Sequence, residues 1–240
     1  MNKTEVNILQ LYPRDMSIYG DWGNALVLKR RLEWYGYNPV LLTYNPGDTL
    51  PADIDIVIGG GGQDSGQLTI TQDLQKIGPK LRELADADVP MLMVCGLYQL
   101  FGHSFTTIDG DVIPGINLLD IETHASNERM TGNLVTNSSE FGEIIGFENH
   151  SGQTMLGQNV KPLAKVVKGA GNNGRDSTEG ARYRNVIGTY THGPLLPKNP
   201  LIADWIIEKA VTRKFGEFKS KELKNHYTNL ARNIAKRRPR

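Results

Sequence analysis

The chain has 240 residues, of which 39% are apolar and 22% charged, with 26 glycines and a formal net charge of +1. This composition is typical of a compact α/β domain and excludes global disorder. The single thiol, Cys95, excludes a disulfide framework within the chain and any zinc site built from several thiolates. No apolar run reaches the roughly 18 residues of a membrane span, and the N-terminus does not resemble a signal peptide, so we expect a cytoplasmic protein.

In the N-terminal part of the chain, short apolar runs alternate with stretches of helical periodicity. Four of the runs are predicted strands, at residues 6–12, 39–44, 54–58 and 91–94. We expect Asn24 to cap the first helix, which ends at Gly36, and we expect Pro79 to break the second helix, which ends near Ala87. Strands that lack alternation and are separated by helices predict a doubly wound, mostly parallel sheet with helices on both faces.

Beyond about residue 109 the apolar runs become shorter, and glycine and asparagine interrupt them. Three of these runs predict hairpins or an extension of the sheet: residues 133–136, 143–147 and 164–167. The polar, glycine-rich segment 169–180 predicts a surface loop. A last strand is predicted at residues 185–190, and a helix at residues 201–214, with Trp205 and Ile206 facing the core.

No repeat or linker divides residues 1–218, which we assign to one domain, whereas residues 219–240 form a basic tail. The tail holds eight of the 27 basic residues and one of the 26 acidic residues, so the remainder carries a net charge of −6. Its apolar residues recur every three or four positions and predict an amphipathic helix with a solvated basic face: Leu223, Tyr227, Leu230 and Ile234. We interpret this helix as a cap on the domain, with docking onto an acidic partner as the alternative. Nucleic acid is disfavoured because no aromatic stacking pattern accompanies the charge.

Cys95 directly follows an apolar strand and precedes a short helical stretch, which predicts a strand-to-helix elbow. A thiol at a helix N-terminus is favoured as the thiolate, and the N–H of Gly96 lies where an oxyanion could be held. The alternative is a buried structural cysteine.

Consecutive glycines at residues 59–62 also follow an apolar strand, and their bare backbone suits the binding of an anion or oxyanion. The alternative is a flexible turn. No Lys-Ser or Lys-Thr pair follows them, so this is not a Walker A loop, and nothing in the chain predicts ATP binding. Among the five histidines, His192 is the best candidate for a base, because it follows a strand and precedes Gly-Pro; His124 and His150 are weaker candidates.

Four segments, taken in order, resemble the class I glutamine amidotransferases of the cobyric acid synthase type. They are residues 59–62, 94–99 (VCGLYQ), 146–152 (GFENHSG) and 188–194 (GTYTHGP). Within that group the chain is most similar to glutaminase subunits that serve lipid II amidation. The resemblance extends from about residue 6 to residue 214 and implies an α/β fold of the class I glutamine amidotransferase type.

The resemblance implies a role for each matching residue. Cys95 is expected to attack the carboxamide of glutamine, and His192 is expected to act as base and acid. The N–H groups of Gly96 and of one glycine in 60–62, here assigned to Gly61, are expected to hold the oxyanion.

Two further residues match family positions that bind glutamine. Gln99 matches a position in the pocket wall, and Arg129 matches an arginine that holds the α-carboxylate of the substrate. Many class I enzymes carry a glutamate two residues after the histidine, but here Gly193 and Pro194 follow His192, so the resemblance implies a Cys–His dyad. His150 is expected to be structural or to shape the pocket.

The resulting expectation is a glutaminase subunit, without a cofactor or metal of its own, that passes ammonia to a synthetase partner. By resemblance, that partner is a Mur-ligase-like chain which uses ATP and Mg²⁺ to amidate the α-carboxylate of D-glutamate in lipid II, and the pair forms a heterodimer in peptidoglycan synthesis. The alternatives are a glutaminase serving another acceptor such as a corrinoid, a non-catalytic binding subunit on the same scaffold and, more remotely, a cysteine peptidase.

Overall fold

A computed structural model describes residues 4–238. In the first half the elements are β1 (Glu5–Leu11), α1 (Trp22–Tyr35), β2 (Asn38–Tyr44), β3 (Ile56–Gly59), α2 (Asp64–Asp86), β4 (Met91–Val94) and α3 (Gly96–Leu100). In the second half they are β5 (Ser104–Thr106), β6 (Val112–Pro114), β7 (Ile121–Ser138), β8 (Gly142–Leu156), β9 (Ala164–Lys168), β10 (Thr178–Glu179), β11 (Ala181–Tyr183), β12 (Val186–Thr189), a 3₁₀ turn (Leu196–Lys198), α4 (Pro200–Phe215) and α5 (His226–Arg237).

The first sheet has six strands in the order β11-β12-β4-β3-β1-β2. All neighbours are parallel except β11, which is antiparallel to β12. Every residue of β3, β4 and β12 is buried. Because successive side chains point to opposite faces, both faces of this sheet are covered. The predicted α/β fold with a mostly parallel sheet is therefore confirmed.

Two helix predictions were wrong in detail. Helix α1 ends at Gly36 as predicted, but it begins at Trp22, so Asn24 lies inside it; the Asn24 Oδ1 accepts a hydrogen bond from the Leu196 N–H at 2.9 Å. Helix α2 continues through Pro79 for 23 residues. A proline inside a helix costs about 3 kcal/mol, but buried Ile77 and Leu81 flank it, and each such side chain contributes about 1.5–3 kcal/mol.

The predicted hairpins belong to a second sheet, with strands in the order β10-β9-β7-β5-β6 and with β8 also paired to β7. Strands β7 and β8 have 18 and 15 residues, so the runs 133–136 and 143–147 are only their apolar parts. The hydropathy pattern underestimates the lengths of these two strands, because exposed polar residues on their solvated face interrupt the apolar runs. The two sheets meet where Phe147 of β8 pairs with the backbone of His192.

The segment 169–180 is not a surface loop throughout, because Asn172 inside it is fully buried. The Asn172 side chain donates to the Gly180 carbonyl at 3.0 Å and accepts from the Gly180 N–H at 2.9 Å. Its Oδ1 also accepts a hydrogen bond from the Tyr98 hydroxyl at 3.1 Å. A polar segment can be buried when its polar atoms are satisfied in this way.

The C-terminal helices follow the predictions only in part. Helix α4 runs over Pro200–Phe215 with Ile206 fully buried and Trp205 partly buried against the core. In the tail, α5 begins at His226, so Leu223 lies outside the helix, and the predicted residues 239 and 240 lie outside the described residues. No helix within the described range 4–238 is long and apolar enough to cross a membrane.

The tail helix faces the domain with its basic residue Arg232, whereas the prediction was a solvated basic face. The Arg232 guanidinium donates to the carbonyl of Lys198, to Asn199 Oδ1 at 2.8 Å and to the carbonyl of Glu143 at 2.7 Å. The apolar stripe points to solvent instead: Tyr227, Leu230 and Ile234 are 84%, 47% and 60% exposed. Hydrogen bonds to partly buried acceptors on the domain therefore set the orientation of α5, rather than apolar burial.

Candidate active site

Three predicted motifs meet at one edge of the first sheet. Strands β3, β4 and β12 are parallel neighbours, so their carboxyl ends lie side by side. The glycines 60–62 follow β3, Cys95 follows β4, and His192 lies three residues beyond the end of β12. Ligands of open parallel sheets bind at this edge. The structure thus brings Cys95 and His192 together, although 97 positions separate them in the sequence.

Cys95 occupies the strained elbow that the sequence predicts. It follows the last residue of β4 with φ 52° and ψ −107°, and its side chain is 6% exposed. A positive φ in a residue other than glycine costs about 1–3 kcal/mol and persists only where the surroundings hold it. The Cys95 N–H donates to the Thr189 carbonyl at 2.9 Å, and the Cys95 carbonyl accepts from the Gln99 N–H at 3.0 Å. Both neighbours therefore hold the elbow in place.

His192 is buried and held through its backbone. Its N–H donates to the Phe147 carbonyl at 2.7 Å, and its carbonyl accepts from the Phe147 N–H at 3.3 Å. This approach requires Gly146, since a Cβ there would lie 2.1 Å from Thr191 Cγ2. Strand β8 of the second sheet thus positions a residue of the first.

The imidazole of His192 lies against Gly61 and Cys95. A Cβ on Gly61 would lie 3.1 Å from both Cys95 Cβ and His192 Cε1. Burial of the ring favours its neutral form, but Cys95 and the Asp21 carboxylate outweigh burial and raise the pKa of His192 to about 10. A protonated imidazole next to a thiol is the arrangement that stabilises a thiolate nucleophile.

One predicted oxyanion donor has to be replaced by its neighbour. The Gly61 N–H donates to Asp21 Oδ2 at 2.8 Å, so it is not free to bind an oxyanion. Neither the Gly62 N–H nor the Gly96 N–H donates to an acceptor among residues 4–238. The two groups are adjacent, because a Cβ on Gly96 would lie 3.2 Å from the Gly62 nitrogen. Of the predicted range 60–62, Gly62 is therefore the candidate donor.

A cavity of about 400 Å³ opens onto Cys95. Its lining includes Tyr19, Cys95, Gln99, Arg129, Asn149 and His150. A cavity of about 470 Å³ with a more apolar lining, which includes Leu26, Trp34 and Pro197, contains neither Cys95 nor His192. The smaller cavity is the candidate substrate site, because it contains the thiol and its polar lining suits a charged molecule.

Gln99 lines this cavity, and both polar atoms of its side-chain amide are held by hydrogen bonds. Its Oε1 accepts a hydrogen bond from Gln67 Nε2 at 2.9 Å, and its Nε2 donates to the Tyr190 hydroxyl at 3.1 Å. The side chain is 4% exposed. The structure therefore places Gln99 in the cavity wall as predicted, while its role in glutamine binding stays a prediction.

Arg129 reaches the cavity from the second sheet. The pairing of β7 with β8 shifts register between Ala125 and Met130, and such an irregularity re-aims the side chains within it. The Arg129 Nε donates to Asn149 Oδ1 at 2.8 Å, and its Nη2 donates to the Tyr19 hydroxyl at 3.3 Å. A guanidinium presents two parallel donors that match a carboxylate.

The two competing histidines occupy different surroundings. His150 is buried, its Nδ1 donates to the Gly152 carbonyl at 2.8 Å, and its ring stacks on Tyr190 at 3.6 Å. Burial lowers the pKa of His150 to about 3, so the ring is neutral and a poor base. His124 is an exposed residue of β7, 4.0 Å from Glu122. Neither arrangement favours a catalytic base.

Two residues of the β1–α1 connection at the site were missed by sequence reasoning. Asp21 contacts Gly61 and His192, and the Tyr19 ring lies 4.6 Å from the His192 ring. Strand β1 ends at the same sheet edge as β3, so the rule that located Cys95 also applies to this connection.

Comparison with known proteins agrees with this geometry. The sequence pattern of the CobB/CobQ-like glutamine amidotransferase domain matches residues 7–200. The lipid II isoglutaminyl synthase (glutamine-hydrolyzing) subunit GatD of Staphylococcus aureus (strain N315) is 37% identical over 231 residues, which cover 96% of this chain and 94% of that relative. The subunit of the same name from Streptococcus pneumoniae (strain ATCC BAA-255 / R6) is 35% identical over 216 residues, which cover 89% of this chain and 83% of that relative.

The fold also has a solved counterpart. A crystal structure of a glutamine amidotransferase superposes with a TM-score of 0.61, covering 84% of this chain and 98% of that one at 14% identity, which shows a shared fold. Because the domain pattern spans most of the chain and two relatives align along most of their own length, the chain belongs to the CobB/CobQ-like glutamine amidotransferase family.

Proposed function

We propose that the chain hydrolyses L-glutamine, with Cys95 as nucleophile and His192 as acid and base. The observation that carries this proposal is the placement of Cys95 and His192 around Gly61, beside a polar cavity that contains Arg129. A non-catalytic scaffold has no need of a strained elbow that presents a buried thiol next to a protonated imidazole.

In the first half-reaction the Cys95 thiolate attacks the side-chain carboxamide carbon of glutamine. The oxygen of that carbonyl becomes an oxyanion, which the N–H groups of Gly62 and Gly96 bind. One such donor is worth about 3 kcal/mol in hydrolases. His192 then donates its proton to the departing nitrogen, so ammonia leaves and a γ-glutamyl thioester remains on Cys95.

The second half-reaction hydrolyses the thioester. His192, now neutral, takes a proton from water, and the resulting hydroxide attacks the thioester carbonyl. The tetrahedral intermediate collapses to glutamate and the Cys95 thiolate, and His192 is protonated again. In sum, glutamine and water give glutamate and ammonia. In this proposed reaction, every catalytic group is a residue of the chain, and no step uses a cofactor.

We further propose that the ammonia is used by a separate, ATP-using synthetase that amidates lipid II. Support comes from the two GatD relatives, whose names describe them as subunits of lipid II isoglutaminyl synthase. Amide synthesis from a carboxylate needs activation, so the proposal assigns ATP and Mg²⁺ to a Mur-ligase-like partner in a cytoplasmic heterodimer. The cavity does not distinguish this acceptor from another, such as a corrinoid.

Co-expression tests this proposal directly. The chain should co-purify with a neighbouring Mur-ligase-like protein, and the pair with glutamine and ATP should convert lipid II to its amidated form, detected by mass spectrometry. Glutamate release without any change of lipid II would support the proposed glutaminase activity but would reject lipid II as the acceptor of the ammonia. Cleavage of peptides but not of glutamine would instead indicate a cysteine peptidase.

Substitution of Arg129 tests the binding of the substrate's α-carboxylate. We expect Arg129→Ala and Arg129→Lys to raise the KM for glutamine or to lower kcat/KM by about tenfold or more, with lysine the milder change. Loss of a bidentate contact explains the size of the effect, whereas an exposed ion pair is worth under about 1 kcal/mol. Arg30→Ala, which breaks the exposed pair with Glu33, is the matched control. Steady-state kinetics with both Arg129 variants within about twofold of the parent would contradict the assignment.

Removal of residues 219–240 tests whether the tail lies outside the catalytic unit. Basal glutaminase activity should stay within a few-fold of that of the full chain, because the described tail contacts Glu143, Lys198 and Asn199 rather than the cavity. Arg232→Gln is the matched variant, since it removes the hydrogen bonds of the Arg232 guanidinium to Glu143, Lys198 and Asn199 but keeps the helix and the Lys236–Glu143 ion pair. Glutamate release and co-purification with the synthetase are the two measurements. Equal loss of both after truncation would make α5 a structural part of the domain.

A further inference from the structure

Asp21 is buried at the site without a partner for one of its oxygens. It stands at the N-cap of α1 and is 4% exposed, but its side chain makes no capping hydrogen bond to the helix. Instead, Oδ2 accepts the Gly61 N–H at 2.8 Å. Oδ1 has no hydrogen-bond partner among the described residues and lies 3.8 Å from His192 Nδ1, which also has none.

The surroundings hold Asp21 in this position. A Cβ on Gly60 would lie 2.7 Å from Asp21 Cβ and 2.8 Å from Asp21 Oδ2, so the loop after β3 packs closely on the carboxylate. An ionised carboxylate at a helix N-terminus is also favoured by the helix dipole. A buried oxygen without a partner is costly, and the group within ion-pairing distance of it is the imidazole of His192.

The other buried carboxylates near the site do not pair with His192. Glu148 accepts hydrogen bonds from the N–H groups of Ala170 and Gly171. Glu179 accepts hydrogen bonds from the Thr189 hydroxyl and the Tyr190 N–H with Oε1, and its Oε2 has no hydrogen-bond partner among the described residues, but it forms no ion pair with His192. Within residues 4–238, Asp21 is the carboxylate within ion-pairing distance of His192.

We infer that Asp21 is the positioning residue of this site: one carboxylate oxygen orients His192 through Nδ1, and the other fixes the Gly61 peptide. The inference rests on the proposed glutaminase function and adds a third member to the Cys–His pair. The distance of 3.8 Å exceeds that of a hydrogen bond, and catalytic hydrogen bonds commonly shorten when substrate binds. With Nδ1 oriented toward Asp21, Nε2, which has no hydrogen-bond partner among the described residues, is left to serve the thiol and the leaving nitrogen.

The same carboxylate also organises the oxyanion site. Because Asp21 holds the Gly61 N–H, the next peptide leaves the Gly62 N–H free beside Gly96. One side chain thus couples the orientation of the base to the position of the oxyanion donor. Its loss should slow the chemical step and leave binding by Arg129 and Gln99 nearly unchanged.

Two variants test this inference, Asp21→Asn and Asp21→Ser. Both residues are favoured at a helix N-cap, so the start of α1 should be retained while the charge is lost. We expect kcat to fall by about tenfold or more, with KM within about threefold of the parent. Asp15→Asn is the matched control: it removes a charge from the same connection, and the Asp15 carboxylate forms no hydrogen bond or ion pair in the described chain.

The second measurement does not depend on glutamine hydrolysis. Histidine-selective ¹⁵N NMR titration follows the ring of His192, assigned with His192→Gln. The groups that face this ring are Cys95, Asp21, Tyr19 and, at longer range, neutral His150. Removal of a nearby negative charge should lower the pH at which His192 loses its proton by about one unit or more in both variants.

The outcomes are distinct. A fall in kcat together with the NMR shift supports the inference. An unchanged His192 titration overturns it even when kcat falls, since Asp21 would then be merely structural. If the wild-type chain does not hydrolyse glutamine, the proposed function fails, while the titration still decides whether Asp21 pairs with His192.

Discussion

Replacing Cys95 with serine or alanine is expected to lower the kcat for glutamine hydrolysis by about a thousandfold or more. In the proposed mechanism the sulfur is the attacking atom, and no other thiol can take over, because Cys95 is the only cysteine in the chain. The measurement is steady-state glutamate release. Retention of more than about 1% of the parent rate would contradict the assignment of Cys95 as nucleophile.

The fold should survive this substitution. Cys95 is 6% exposed, and serine and alanine are no larger than cysteine, so neither overpacks the elbow. Far-UV circular dichroism and thermal unfolding are the controls. Reaction of the native protein with a thiol reagent provides a further check, since all labelling reports Cys95.

Replacing His192 with alanine is expected to cause a loss comparable to that of Cys95→Ala, about a thousandfold or more. The two side chains act as a unit, so the double variant should be hardly worse than either single one. The parent enzyme should also lose activity as the pH rises through the pKa of His192, about 10, because the proposed mechanism needs the protonated ring to donate to the leaving nitrogen.

His150→Ala is the matched comparison for the base. Its ring stacks on Tyr190 and is neutral, so we expect a smaller kinetic loss, accompanied by reduced thermal stability. If His150→Ala loses more kcat than His192→Ala at equal folded fraction, the base has been assigned to the wrong histidine.

Local pattern was sufficient for five of the six strands of the first sheet, all but β11, and for two candidate residues of the site. The runs that became β3 and β4 contain no polar side chain within the strands, and every residue of both strands is buried, which is typical of strands covered on both faces. Cys95 and His192 could be located because ligands of parallel sheets bind where strands end, and strand ends are visible in the sequence. Family resemblance then added Arg129 and Gln99, which no periodicity indicates.

Contacts between distant segments decided where helices begin and continue. Asn24 has the chemistry of a cap but instead holds the Leu196 N–H, and Pro79 is accommodated because buried residues flank it in α2. The tail sequence predicts an amphipathic helix, yet Arg232 finds carbonyl partners on the domain and turns the apolar stripe outward. Periodicity predicts that a helix has two faces, but not which face finds a partner.

The same division applies within the site. The family resemblance predicts an oxyanion donor in residues 60–62, but the choice of Gly62 over Gly61 as the candidate depends on Asp21, which lies 40 positions from Gly61. Arg129 reaches the cavity at a register shift in β7, and that shift also arises only when β7 pairs with β8. By itself the sequence determined the residue types and the strand ends that carry them. Only the tertiary structure decided which N–H groups stay free and which carboxylate meets His192, because those depend on hydrogen bonds between segments far apart in the chain.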